Sequence, residues 1–232
     1  MSSAYLRKTI ITILVISIIL LNVILIINNG SFLATYYLIW VLLIGKLLWK
    51  YRSRVEAYLV SLKIGDFKKF LFLGLGMVLC EEIIAGTAMN LGIADSVGDI
   101  LLGIRQFIAF NILALPGFII AWYILLKHCI YTRQEVFILS GIFGILSEKL
   151  FRHVDYPIMI ALLILPTMFT YAIIIAPSVM SYRGTGAKPR PKIVRYLLGI
   201  FFPFVISIPF VFLVMYLRAK YPEAFPPAGF VG

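Results

Sequence analysis

Residues 71–91, LFLGLGMVLCEEIIAGTAMNL, form an apolar run long enough to cross a bilayer, with two adjacent carboxylates, Glu81 and Glu82, near its middle. A charged side chain at that depth costs a few kcal/mol on insertion scales. Protonation, a partner or a wet cavity relieves that cost. Neighbouring helical residues point about 100° apart, so the two carboxyls address different neighbours. Glu82 stacks over Ala85 and Gly86, and Glu81 over Ala85 and Ala88. Small residues at those positions predict the close approach of another helix. The functional reading is a proton relay, an ion ligand or a catalytic acid/base. The structural reading is a protonated or paired carboxyl that locks helices together.

The composition around this run fixes the class. Hydrophobic residues make up 62% of 232 positions and charged residues 13%, where a soluble domain is near half apolar and a quarter charged. The expected fold is all-α: a polytopic membrane bundle of about seven transmembrane helices, built as a single transmembrane domain over residues 1–232. The net charge of +11 belongs to cytoplasmic loops and not to a nucleic-acid surface. The partners expected are the lipid bilayer and another membrane protein or a membrane peptide. No cofactor motif is present. Cys80 falls at mid-membrane and Cys129 at a helix end, without CxxC or Cys/His spacing, so both read as small packing residues without a metal.

The remaining spans follow from apolar runs. Residues 9–27 read as an uncleaved first helix, closed by a turn at Asn28-Asn29-Gly30-Ser31. Residues 32–48 read as the second, with Tyr36, Tyr37, Trp40 and Trp49 suited to the interface. The basic connector 46–69 has amphipathic character and is expected on the membrane surface. The fourth helix is expected over 104–126 with a packing kink at Pro116-Gly117, the fifth over 135–150, the sixth over 157–180 broken by Pro166 and Pro177, and the seventh over 196–217. With the N-terminus inside, sixteen of the 21 Lys and Arg fall on the inner side and five on the outer, so the C-terminus is expected outside the cell membrane.

Depth then limits which polar groups can meet. Glu81, Glu82, Asn111, Asn90 and Glu148 can face the outer half of the bundle together, with Arg105 as a candidate cation for Glu148. The competing reading of Glu148 is a carboxylate snorkelling beside Lys149 and Arg152. His128 and His153 lie at opposite membrane faces and cannot share a metal with the pair. His153 stays a supporting polar candidate. Glu135, at a helix start, is accounted for by the helix dipole.

The Glu-Glu pair followed by IIAG resembles the first motif, EExxxR within a helix, of the type II CAAX-prenyl-endopeptidase and bacteriocin-processing (CPBP) intramembrane protease family. The segments GIFGILSEKLF and VDYPIMIALL resemble that family's glycine-bearing helix, short turn and next membrane helix. The likeness covers residues 72–171. It departs at the Arg position, which is Gly86, at the FxxxH motif, where FNILA ends in Ala114, and in helix six, which has no His. In that family the Glu pair and the His residues form the catalytic site, so only Glu81 and Glu82 carry over. The resemblance implies a divergent CPBP-like intramembrane protease or an inactive relative. The alternative from the residues alone is a non-catalytic protein, either a proton- or ion-coupled carrier or a scaffold binding other membrane proteins.

Overall fold

The computed structural model describes residues 3–29, 32, 34–91, 94–148, 157–184 and 187–222. It is all-helical; the described residues contain no strand, only one isolated bridge between Cys129 and Lys188. In chain order the helices are α1 (Ser3–Asn29), α2 (Thr35–Tyr37), a π-helical stretch (Leu38–Gly45), α3 (Lys46–Lys50), α4 (Arg52–Ser61), α5 (Asp66–Asn90), α6 (Val97–Ala114), α7 (Pro116–His128), α8 (Arg133–Ser147), α9 (Pro157–Ser181) and α10 (Lys192–Lys220).

Among the described residues, five helical runs are long and apolar enough to cross a membrane: Tyr5–Ile27, Asp66–Asn90, Val97–His128, Pro157–Ser181 and Lys192–Lys220. The other two expected spans are shorter. The α2–π–α3 stretch begins at Thr35 and ends at Lys50, and α8 has 15 residues, about 22 Å against a hydrocarbon core of about 30 Å.

Several boundaries differ from those the apolar runs suggest. The helix after residue 96 starts earlier because Ser96, in extended backbone, caps it: its Oγ accepts from Asp99 N at 3.2 Å. Pro116-Gly117 does interrupt the fourth span, at Leu115. A Cβ on Gly117 would sit 2.5 Å from Ser207 Cα, so the break seats α7 directly on the α10 backbone. Pro166 and Pro177 do not break α9, nor Pro203 and Pro209 α10; proline is accommodated where neighbouring helices re-satisfy the freed backbone groups. The connector helix α4 buries Leu59 and packs on α9.

The aromatic placement also differs from the expected interfacial belt. Tyr36, Tyr37 and Trp40 are buried, Trp40 completely, while Trp49 stays 62% exposed. Phe118 stacks on Phe143 with centroids 4.7 Å apart, and Phe143 lies 4.5 Å from Phe204, joining α7, α8 and α10. Cys80 is exposed and only Cys129 is a buried packing residue; a cysteine one residue before a buried pair falls on the outer face of α5.

One end of the bundle gathers the basic connectors. Glu56 on α4 meets Arg133 at 2.7 Å and Arg183 at 3.5 Å. Lys188 N donates to His128 O at 3.2 Å, and Ile130 N donates to Lys188 O at 3.3 Å. Towards the opposite end, Asn22 Nδ2 donates to Ala34 O at 3.0 Å and Asn22 Oδ1 accepts from Thr35 Oγ1 at 2.8 Å, tying the later half of α1 to the start of α2.

Candidate functional site

Beyond Lys69, the two glutamates are the charged residues of the otherwise largely apolar helix α5. Both side chains are buried, Glu81 at 7% exposure and Glu82 at 4%. The small residues one turn on do admit a neighbour: a Cβ on Gly86 would lie 3.1 Å from Ile104 Cα, which brings α6 against the Glu82 side. The 100° between the two residues sends them to different partners. Glu82 lies beside Asn111 on α6, and Glu81 beside Tyr36 on α2.

The two carboxyls lie against each other, and adjacent carboxyls in an apolar core are costly to ionise together. Tyr36 Oη lies 3.3 Å from Thr170 Oγ1, and Thr170 in turn donates to Pro166 O at 3.1 Å. The Tyr37 ring lies 4.1 Å from that of Tyr36. Polar groups from α2, α5, α6 and α9 thus converge in an apolar core, where burial demands partners for them.

The other expected members divide. Glu148, the C-cap of α8, is exposed but accepts from the buried Tyr171 Oη at 2.6 Å. Asn111 joins the pair. Asn90 does not: its Nδ2 donates to Gly86 O at 2.7 Å on its own helix, and it fills the space over Gly103. Arg105 is exposed on α6, and no ion pair joins it to Glu148 among the described residues. Lys149, Arg152 and His153 lie outside the described residues. His128 is exposed at the basic end. Glu135 does more than complement a dipole. It closes a capping box with Thr132 and pairs with Arg195 at 2.9 Å.

Tyr36, Tyr37, Thr170 and Tyr171 are the members that sequence reasoning missed. The available signal was a hydroxyl in the middle of an apolar helix, where a buried tyrosine O–H needs a partner. Among the described residues, no group of three His, Cys, Asp or Glu is arranged to hold a metal ion.

In comparisons with known proteins, the chain matches no family model, no curated protein and no solved structure.

Proposed function

We propose that the chain is a multi-pass protein of the cell membrane with seven crossings, its N-terminus cytoplasmic and its C-terminus external, and that Glu81 and Glu82 form a CPBP-like intramembrane acid/base site acting on a membrane peptide. The observation that carries the reading is the buried carboxyl pair on α5, with Tyr36 beside Glu81 and Asn111 beside Glu82. In this reading Glu82 activates water as general base and Glu81 stays protonated beside it. Asn111 presents an amide to Glu82, which orients a carboxyl but does not carry a proton.

A second reading has a specific observation behind it. Both glutamates are nearly sealed from solvent, which suits an inactive relative or scaffold in which the pair holds helices together. The Gln variants separate the two. Glu81→Gln and Glu82→Gln keep shape and hydrogen-bonding capacity but cannot move a proton. Profiling of new peptide ends in membrane fractions should show a set that appears with the wild-type protein and vanishes with either variant at equal folded yield. A double Gln variant indistinguishable from wild type in that profile would leave the structural reading. Glu82→Leu should then lower the folded yield by leaving Asn111 unsatisfied.

A further inference from the structure

The carboxylates at the basic end of the bundle are already taken. Glu56 pairs with Arg133 and Arg183, Glu135 with Arg195, and Asp66 with Lys69 at 3.8 Å. Lys50, Arg52 and Arg54, all exposed in the stretch WKYRSR at 49–54, enter no ion pair among the described residues. What they pack on is aromatic. Arg52 Cζ lies 4.5 Å from the centroid of the Trp49 ring, and Lys50 Nζ and Arg54 Cζ lie 5.2 and 5.9 Å from the centroid of the Tyr51 ring. A ring face positions a cation without using up its N–H donors. Two cations gathered around one phenol also repel each other, a cost that a shared anion removes.

Lys50, Tyr51, Ser53 and Arg54 line a shallow recess of about 240 Å³. An ammonium, a guanidinium fork and two hydroxyls are a donor set that suits a phosphate group. The recess stands on a fixed element. Tyr51 is the joint where α3 ends and α4 begins. Helix α4 is held to the bundle by buried Leu59 and by Glu56, which reaches Arg133 at the start of α8 and Arg183 just past α9. Outward it shows Tyr58, 65% exposed, not far from the exposed Trp49. Indole and phenol rings favour the headgroup level of a bilayer. The recess also lies within two turns of the apolar stretch Leu38–Gly45. Both features favour a lipid over a soluble polyanion.

We propose that the recess formed by Lys50, Tyr51, Ser53 and Arg54 binds the phosphate of an anionic phospholipid in the leaflet at that end, with Arg52 on Trp49 as a second headgroup contact beside it. No covalent bond forms or breaks. The inference rests on the membrane reading of the chain and is independent of the glutamate pair and of any reaction there.

Trp49 supplies the reporter, because Trp40 and Trp122 are completely buried. The full-length protein is placed in nanodiscs of equal phosphatidylcholine and phosphatidylglycerol, with acyl-chain bromine carried by one lipid or by the other. Bromine quenches tryptophan fluorescence at contact, so the two discs report which lipid sits beside Trp49. Phosphatidylglycerol should quench more strongly. Lys50→Gln with Arg54→Gln should weaken that preference by about fivefold per charge removed. Lys63→Gln with Lys68→Gln removes the same charge at exposed positions outside the recess and should leave the preference near the wild-type value. Equal quenching by the two lipids in the wild-type protein overturns the proposal. An equal loss in both double variants assigns the preference to diffuse surface charge and overturns the site. A preference abolished by sodium phosphate, but not by sodium chloride of the same ionic strength, makes the occupant free phosphate and overturns the lipid assignment.

Discussion

The ring of Tyr171 occupies the space that a side chain on Gly144 would fill: a Cβ there would lie 2.3 Å from Cδ2 and 2.6 Å from Cγ. The glycine one turn before Glu148 thus lets α9 lay its tyrosine flat on α8, where the phenol reaches the carboxylate. Gly144→Ala should be destabilising even though alanine is the better helix former by about 0.5–1 kcal/mol. Overpacking at a filled position costs about 1–3 kcal/mol. Thermal unfolding in detergent reads the sum. Gly76→Ala is the control, because nothing lies within 4 Å of its added Cβ, and it should be neutral or stabilising. Equal behaviour of the two variants would contradict the packing.

The helices were legible because an apolar run of spanning length has few alternatives, and the approach of α6 to Gly86 followed from residue size. The partners of the glutamates were not. Tyr36 and Tyr37 read as interfacial because tyrosine is amphipathic, but three-dimensional packing placed them beside Thr170 and Glu81. Which of the polar residues at similar depth share a face depends on helix rotation, and no pattern within one helix encodes that. Asn111 and Asn90 show the point: both sit at plausible depths, and only the first turns towards the pair.

At the basic end, the hydrogen bond from Arg133 to Glu56 holds that carboxyl below the ordinary glutamate range, against the opposing effect of burial and with the charges of Arg133 and Arg183 adding to it. A depressed folded value means stability that is present above the ordinary carboxylate pKa and lost as pH falls through the folded one. Unfolding followed by pH titration should therefore show a small acid-side loss that Glu56→Gln removes. High salt should shrink it, since the Arg133 and Arg183 side chains are largely exposed. A salt-independent loss of the same size in Glu56→Gln would assign the acid sensitivity elsewhere.

Arg195 clamps the turn between α7 and α8. It pairs with Glu135 at 2.9 Å, donates to Ile130 O and lies over the Tyr131 ring, while Tyr131 Oη donates back to Arg195 O at 2.7 Å. Both charged side chains are largely buried, so removing one strands the other. Arg195→Ala and Glu135→Gln should each cost on the order of 1–3 kcal/mol. The double variant should cost less than the sum of the two. Additive losses in that cycle would mean that the pair contributes nothing as a pair.

Topology can be decided by contacts that the count of long helices does not use. If only the five long runs crossed the membrane, residues 30–65 would lie on one side and residues 182–191 on the other. Yet Glu56 pairs with Arg183, and Lys188 bonds across to His128 and Ile130. Segments that touch in this way fit one face, which favours a crossing by α8; in the proposed seven-span arrangement the α2–π–α3 stretch crosses too, the membrane thinning or flanking residues snorkelling to match them. Reporter fusions after Lys69, Thr132 and Lys188 should then all read cytoplasmic. Fusions after Ser96 and at the C-terminus should read external, in keeping with the sixteen-to-five division of Lys and Arg. The fusion after Lys69 is the sharpest of these, because seven crossings put it inside and five put it at the entrance of α5 from outside. An external reading there would remove the crossing by the α2–π–α3 stretch and the seven-helix arrangement with it.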